Sequence, residues 1–321
     1  MFFNIKIILL VILISFQLTA CSEAPHTPLR VGGNQWPGYE PLYLARDLKL
    51  WDKHQIRLIQ YPSATEVLRA FRNRAIDAAS LTLDEVLLLR QLDIPVSVIL
   101  IHDFSNGADA IISHSGIQSV KQLKGKTIGV ESSALGAFVL SRALEMNNMA
   151  LQDISIRHVN FDVHEKAFTN NEVDAVVTFE PVISGLLSAG ANKVFDSTMM
   201  PGEIIDVLVV HQDCMDKYSD VLKKLVNGWF RAVDYMKEEP FDAYQNISQR
   251  LHLTVPQVAS SYKTIVLPNR SQNNDLLGSG NYVLQKTVNQ MTAIMLNNKL
   301  LNKPFSAKDL FTNQYISNVS N

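Results

Sequence analysis

Short runs of apolar residues alternate along this chain with longer segments in which apolar residues recur at helical spacing. The short runs predict β-strands at 29–31, 56–59, 78–81, 96–101, 127–130 and 175–178. Helical spacing predicts helices at 42–48, 64–73, 83–92 and 135–146, and from Val221 onward the pattern is mostly helical. Strands and helices in alternation are typical of an α/β fold with mainly parallel sheets, which bind ligands at the carboxyl ends of their strands.

The first 28 residues predict export and lipid attachment. Residues 1–20 contain one cation followed by an apolar run of about ten residues, which fits a signal peptide and is too short to span a bilayer. Leu18-Thr19-Ala20-Cys21 resembles the processing box of bacterial lipoproteins, so we expect cleavage before Cys21 and attachment of acyl chains such as palmitate to it. Residues 21–28 would form a lipidated tether on the periplasmic face of the cell envelope, and Ser22 favours the outer membrane.

Two distant stretches of the chain repeat one pattern. AFRNRAIDAA at 70–79 has a counterpart in AFTNNEVDAV at 167–176. In both, a predicted helix ends in a polar turn, and an Asp-Ala pair leads into a buried strand. Either the match arose by chance, or the chain forms two lobes of similar build that face each other across a cleft.

Four stretches, taken in order, resemble the periplasmic substrate-binding proteins of ABC transporters with the type II fold. They are WPGYEPLYLA (36–45), DAASLTLD (77–84), LKGKTIGVE (123–131) and VDAVVTFEP (173–181). The branch that they resemble includes nitrate, sulfonate and taurine receptors and thiamine-pyrimidine receptors. The resemblance implies a two-lobe protein that closes over a small solute and delivers it to the permease and ATPase of an ABC importer.

The division of the chain into lobes follows from that resemblance. Lobe 1 would contain residues 29–108 and 206–321, and lobe 2 residues 109–205, so that two chain crossings form a hinge. The solute would lie in the cleft between the lobes. No cofactor is implied, and we expect a monomer.

Carboxylates and aromatic rings are frequent in the loops expected at the cleft. We predict ligand contacts from Trp36, Tyr39, Glu40, Thr82, Asp84, Asp103, Glu131, Ser132, Ser133, Phe179 and Glu180, and we expect Asp109 and Asp206 to face the cleft as well. Buried carboxylates repel an anion, but they accept hydrogen bonds from an amine or a nitrogen heterocycle, which aromatic faces also attract. The pattern favours a cationic amine or a heterocycle such as a pyrimidine, and an anion (sulfonate, taurine or nitrate) is the alternative.

Composition and motifs argue against several other classes of protein. The 321 residues include 29 lysines and arginines and 31 aspartates and glutamates, a balance that leaves no electrostatic footprint for nucleic acid. Two cysteines, Cys21 and Cys214, are too few for a cysteine-based metal centre. No phosphate loop, nucleophile elbow or metalloprotease motif occurs, so neither an enzyme nor a metal site is predicted. A lipoprotein that signals ligand binding to a membrane partner would use the same fold and stays open.

Overall fold

A computed structural model describes residues 27–131, 134–278, 280–304 and 307–316. The predicted signal peptide, the lipidation site Cys21 and the predicted contacts Ser132 and Ser133 lie outside the described residues. Within these four ranges, no helix has both the length and the hydropathy that crossing a bilayer requires.

The first of two β-sheets takes its strands from the start of the described chain and from residues after 204. Its strands are β1 (Leu29–Gly33), β2 (Ile56–Gln60), β3 (Ala78–Thr82), β4 (Val96–Ser105), β10 (Ile205–His211) and the short β11 (Ile265–Val266), in the order β11-β4-β10-β3-β1-β2. Strand β1 pairs in parallel with β2 and β3, whereas β10 runs antiparallel to β3 and β4. Helices α1 (Glu40–Asp47), α2 (Ala64–Arg72) and α3 (Leu83–Gln91) connect its first four strands.

The second sheet is built entirely from the middle of the chain. Its strands are β5 (Asp109–Ser113), β6 (Thr127–Val130), β7 (Ser155–His158), β8 (Ala175–Phe179) and β9 (Asn192–Asp196), in the order β7-β6-β8-β5-β9. Strand β6 is parallel to β7 and β8, and β5 is antiparallel to β8 and β9. The helices of this half are α4 (Ala134–Met146), α5 (His164–Thr169) and α6 (Val182–Ser188).

The two sheets have the same arrangement of strands over five positions. The order β2-β1-β3-β10-β4 in the first corresponds to β7-β6-β8-β5-β9 in the second, and in each the fourth strand is the one that has just crossed from the other half of the chain. The chain crosses at 106–108, between β4 and β5, and again at 197–204, between β9 and β10. Each sheet therefore takes its strands from one of the two predicted lobes, although the lobe boundaries themselves stay a prediction.

The repeated sequence pattern marks the same structural unit in both halves. Arg74 and Asn171 follow the ends of α2 and α5 and adopt left-handed backbone conformations, with φ of 58° and 56°. Asp77 then accepts a hydrogen bond from Arg30 N at 2.9 Å, and Asp174 accepts one from Thr127 N at 2.8 Å. Each aspartate thereby ties the strand that it precedes to the neighbouring parallel strand, so the match reflects a shared build.

Helices from the last third of the chain cover the first sheet. They are α7 (Gln212–Lys217), α8 (Ser219–Glu238), α9 (Pro240–Leu251), α10 (Val255–Ser261), α11 (Arg270–Leu277) and α12 (Tyr282–Asn297). Helix α8 packs against α1 and α9 through a buried stripe that recurs at helical spacing and contains Leu222, Leu225, Trp229, Val233 and Met236.

The predicted α/β fold class is confirmed, with two differences. The sheets are mixed, whereas mainly parallel sheets were expected, because β5 and β10 enter each sheet after a crossing and run against both neighbours. Strands β5, β7, β9, β10 and β11 were not among the six predicted, and β11 has only two residues, too few to show an alternating pattern.

Candidate functional site

A cavity lies between the two sheets, at the ends of β1, β3, β6 and β8. It leaves about 30 Å³ for the centres of water molecules, room for about two, so its walls are close together. The first-sheet side contributes Asn34, Trp36, Tyr39, Ala64, Thr82, Glu85 and Asp206, and the second-sheet side contributes Asp109, Glu131, Leu135, Gly136, Val139, His164, Val177, Thr178 and Phe179.

Aromatic side chains from both sides meet at one wall of the cavity. Trp36 contacts Phe179 edge to face, with ring centroids 5.7 Å apart. Phe179 stacks on Phe161 at 3.9 Å, so one of its faces is already covered. Trp36 Nε1 donates to Asp103 Oδ2 at 3.0 Å, and Gly38 makes room for that carboxylate because a Cβ there would lie 1.7 Å from Asp103 Oδ2.

Buried carboxylates form the acidic part of the wall. Glu85 Oε2 accepts a hydrogen bond from Thr82 N at 3.1 Å, but Glu85 Oε1 has no partner among the described residues, and neither has Asp109 Oδ2. Asp206 Oδ1 accepts from the Tyr39 hydroxyl at 2.5 Å. Burial raises the pKa of Asp109 to about 7, and burial together with the charges of Asp84 and Glu131 raises the pKa of Glu85 well above its usual range.

Two more carboxylates lie behind this wall without lining the cavity. Asp84 and Asp103 are buried, and each has one oxygen without a partner in the described part of the chain. Burial raises the pKa of Asp103 to about 8 and that of Asp84 to about 6. Burial and the charge of Asp103 also raise the pKa of Asp206, so the carboxylates act on one another.

Most donors among the lining side chains are already bound to protein acceptors, whereas Thr82 Oγ1 has no partner among the described residues. Trp36 and Tyr39 donate to aspartates, as described above, and Asn34 Nδ2 donates to Gln35 O at 3.3 Å. His164 Nε2 lies 3.1 Å from Val159 O, a carbonyl that can only accept, so Nε2 carries the proton.

The tautomer of His164 in turn decides what Thr178 can offer to a ligand. Burial lowers the pKa of His164 to about 4, so the ring is neutral and its Nδ1 accepts from Thr178 Oγ1 at 3.1 Å. The Thr178 oxygen therefore faces the cavity as an acceptor. No lysine or arginine occurs among the lining residues that the structure describes.

One lining carboxylate also connects the two sides of the cavity. Glu131 follows β6 in the second sheet, and its Oε1 accepts hydrogen bonds from the backbone N and the Oγ1 of Thr65, both at 2.9 Å. Thr65 lies in the first turn of α2, where free N–H groups and the helix dipole favour a negative charge. Glu131 thus stabilises the approach of the two sides.

The cavity contains five of the predicted contact residues that the structure describes: Trp36, Tyr39, Thr82, Glu131 and Phe179. Asp109 and Asp206, which were expected to face the cleft, line it as well. Their roles in binding stay predictions. Asn34, Glu85, His164 and Thr178 were missed.

Glu40 and Glu180 do not face the cavity, contrary to the prediction. Arg250 Nε donates to Glu40 Oε2 at 2.8 Å, which holds Glu40 in an ion pair away from the cleft. Glu180 instead accepts from the backbone N and the hydroxyl of Ser184, at 3.2 and 3.0 Å, and caps the start of α6. In both cases a nearer donor determines the direction of the carboxylate; Arg250 is 210 positions from Glu40 and invisible in the local pattern, whereas Ser184 is four positions from Glu180.

Metal-ligating side chains do not gather in the described part of the chain: no three histidine, cysteine, aspartate or glutamate residues are placed so that they could hold a metal ion. Cys214, the free cysteine of the described residues, is buried and does not line the cavity.

Comparison with known proteins identifies the family. A family model described as "NMT1-like family" matches residues 22–252 of the 321. The chain belongs to the NMT1-like family. A "putative binding protein" of Brucella abortus (strain 2308) is 26% identical over 242 residues, which cover 70% of this chain and 71% of that protein. A "putative aliphatic sulfonates-binding protein" of Bacillus subtilis (strain 168) is 24% identical over 211 residues, which cover 63% and 59%.

Solved structures share the fold of this NMT1-like protein at low sequence identity. The alkanesulfonate-binding protein SsuA of Xanthomonas axonopodis pv. citri, bound to MOPS, has a TM-score of 0.72 at 16% identity and covers 88% of this chain and 96% of its own. The ligand-binding component of an ABC-type import system from Staphylococcus aureus, with zinc bound, has a TM-score of 0.75 at 12% identity and covers 92% and 99%. The desulfurization enzyme DszB has a TM-score of 0.64 at 14% identity and covers 89% and 97%. The periplasmic binding protein fold is confirmed, and receptors and an enzyme share it.

Proposed function

We propose that this protein is the solute receptor of an ABC importer and that its ligand is a cationic amine or a protonated nitrogen heterocycle such as a pyrimidine. Family membership and the fold shared with the ligand-binding component of an import system support the receptor role. The cavity wall carries the choice of ligand: Glu85 Oε1 and Asp109 Oδ2, among the described residues, have no partner. The donors of Trp36 and Tyr39 are already bound to aspartates, and of the hydroxyl groups in the described wall that of Thr82 has no partner.

Electrostatics points to the same class of ligand. An anion in this cavity would lie beside the carboxyl groups of Asp109, Asp206 and Glu131, which repel it when they are ionised, with no lysine or arginine in the described wall to offset their charge. In a site that excludes most water, like charges at short distance repel each other by several kcal/mol, roughly. A cation replaces that repulsion with attraction and gives the unpartnered oxygens a donor.

Binding would be linked to closure of two lobes about the crossings at 106–108 and 197–204. Contacts across the cavity support this: Trp36 meets Phe179, and Thr65 donates to Glu131. At the hinge, Ser197 Oγ accepts from Gly107 N at 2.6 Å and lies 2.8 Å from Ser105 Oγ, which joins the two crossings. A ligand that contacts both sides would favour the closed arrangement.

One observation favours an anion as the second candidate. Leu135 and Gly136, in the first turn of α4, line the cavity, and the N-terminus of a helix of this length attracts negative charge. A curated relative named for aliphatic sulfonates agrees with this reading. The carboxylates of the same wall oppose it.

A thermal-shift screen of the purified mature protein separates the two candidates. The screen contains primary amines, aminopyrimidines, alkanesulfonates, taurine and nitrate, each followed by calorimetry where the melting temperature rises. We expect the hits among amines or aminopyrimidines, and we expect Trp36→Ala to lose them while its own melting transition stays cooperative. If only sulfonates or nitrate raise the melting temperature, the cationic ligand is wrong.

The N-terminal sequence supports a lipid anchor for this receptor. Cleavage before Cys21 and acylation would hold it at the periplasmic face of the envelope, beside the permease of its importer or beside a signalling partner. Growth with a palmitate analogue should label the wild-type protein and leave Cys21→Ala unlabelled. Labelling of the Cys21→Ala variant to the same extent as the wild type would show that Cys21 is not the residue that carries the lipid.

A further inference from the structure

We infer that the cationic end of the ligand carries at least two N–H donors, which Glu85 Oε1 and Asp109 Oδ2 accept from opposite sides of the cavity. A primary ammonium or an amidinium-like group meets this requirement, whereas a quaternary ammonium does not. The inference rests on the proposed cationic ligand and narrows its chemistry.

The position of Glu85 leaves a single oxygen for the ligand. Glu85 lies in the first turn of α3, 1% exposed, and its Oε2 is occupied by the backbone N of Thr82 at 3.1 Å. This contact fixes the direction of the carboxylate, as in a capping box, in which the third residue of a helix reaches back to the residue before it. Glu85 is one of the residues that line the cavity, and its Oε1 has no donor in the described residues.

Asp109 presents the matching oxygen from the second sheet. It is the first residue of β5, directly after the crossing at 106–108, and it pairs in register with Phe179 on β8. The Asp109 side chain is buried, and its Oδ2 has no hydrogen-bond partner in the described chain. Because Glu85 lies on the first-sheet side of the cavity and Asp109 on the second-sheet side, a group that donates to both also holds the two sides together.

Unpartnered oxygens require donors in addition to positive charge. A buried carboxylate oxygen that gives up water needs an N–H or O–H in exchange. A quaternary ammonium supplies charge only, and proteins bind it mainly through the faces of aromatic rings. Here Phe179 has one face covered by Phe161 and meets the edge of Trp36, so these rings do not form an open cage.

Small ammonium salts test this inference without knowledge of the natural ligand. The melting temperature of the mature protein is measured at pH 8 in 100 mM ammonium, methylammonium, tetramethylammonium or sodium chloride. We expect ammonium and methylammonium to raise it by about 2 °C above sodium, and tetramethylammonium to give no increase. Equal increases with tetramethylammonium would overturn the inference, and so would the absence of any ammonium effect.

Isosteric variants assign the effect to the two carboxylates. Glu85→Gln and Asp109→Asn keep the shape of each side chain and remove its charge, so the increase with ammonium should disappear in both. Glu238→Gln, an exposed position at the end of α8, is the matched control and should keep the full increase. An increase that survives in both cavity variants would show that ammonium acts elsewhere and would reject the inference.

Failure of this inference is distinguishable from failure of the proposed function. A ligand screen in which quaternary amines bind as well as primary amines would overturn the requirement for N–H donors and leave a cationic ligand in place. A screen in which only sulfonates bind would remove the cationic ligand itself, and the inference with it.

Discussion

Glu40 and Glu85 are buried to the same extent on the same half of the molecule, yet their surroundings are opposite. Each is 1% exposed. Arg250 donates to both oxygens of Glu40, at 2.8 and 3.2 Å, and its guanidinium lies 3.4 Å from the centre of the Tyr43 ring. Glu85 has one backbone donor and, within the described chain, no cation beside it.

The difference between these two glutamates distinguishes a carboxylate that stabilises the fold from one that is available to a ligand. A buried carboxylate is costly unless a cation or several donors accompany it. Burial raises the pKa of Glu40, and Arg250 opposes that rise, so the chain itself supplies the partner. For Glu85 the neighbouring charges of Asp84 and Glu131 add to the effect of burial on its pKa. A buried carboxylate with a raised pKa and no cation beside it is a candidate for contact with a ligand when it lines a cavity.

Removal of Arg250, the cation beside Glu40, should have the largest effect on stability of the changes considered for these two glutamates. Arg250→Met leaves Glu40 buried without its partner, which should lower the free energy of unfolding by about 3 kcal/mol, because the arginine is partly exposed and the lower end of the range for a broken buried pair applies. Urea denaturation measures the loss. Arg231→Met, at an exposed position of α8, is the control and should change stability by less than about 0.5 kcal/mol. If the two variants are equally stable, the ion pair does not stabilise Glu40.

Much of the fold could be predicted because its signals are local. Six of the strands were predicted as short apolar runs, and the repeat around Asp77 and Asp174 encodes a helix end, a left-handed turn and a strand within ten residues. The antiparallel direction of β5 and β10 could not be predicted in this way. It depends on where the chain crosses between sheets, which no local pattern shows.

The site was predicted in part for the same reason. Trp36, Glu131 and Phe179 could be predicted because they lie at or just after the carboxyl ends of β1, β6 and β8, and such ends meet at one edge of a sheet. The sequence analysis predicts a contact from Asp84, whereas Glu85 lines the cavity. Thr82-Leu83-Asp84-Glu85 has the T-x-x-E spacing in which the fourth residue turns back to the first, so a local signal for Glu85 was present.

Other features of the site depend on contacts between distant residues. Glu40 and Arg250 are 210 positions apart, so nothing near WPGYEPLYLA shows that its glutamate already has a partner. The role of Thr178 as an acceptor follows from the tautomer of His164, which the Val159 carbonyl determines from five positions away; the contact between His164 and Thr178 spans 14 positions. The local sequence pattern shows neither the partner of Glu40 nor this tautomer.

The raised pKa of Asp109 at the cavity predicts a smaller effect, a dependence of protein stability on pH. Burial raises the pKa of Asp109 to about 7, above the value of about 3.9 for an unfolded chain. An acid with a raised pKa in the folded state binds its proton more tightly there, so its contribution to stability is complete below pH 4 and is lost as the pH rises toward 7. The ligand-free protein should therefore become less stable between pH 5 and pH 7.

The Asp109→Asn variant isolates the part of the change in unfolding free energy with pH that arises from the titration of Asp109. One proton bound only by the folded state contributes up to about 1.4 kcal/mol per pH unit, so the variant should be flatter than the wild type by at most that amount between pH 5 and pH 6. Urea denaturation at each pH measures the slope, and Glu238→Gln should follow the wild type. Identical slopes for Asp109→Asn and the wild type would mean that Asp109 titrates normally in the folded protein.

Ligand affinity should respond to pH in the opposite direction. Asp109 must lose its proton before its carboxylate can accept a hydrogen bond from an ammonium group that also donates to Glu85. The affinity for an amine should therefore increase as the pH rises through 7, for as long as the amine itself stays protonated. An anion bound at the first turn of α4 would instead bind more weakly as the carboxylates ionise. Calorimetry with one amine hit at pH 6 and pH 8 gives the sign directly, and weaker binding at pH 8 would mean that ionised Asp109 does not bind the amine.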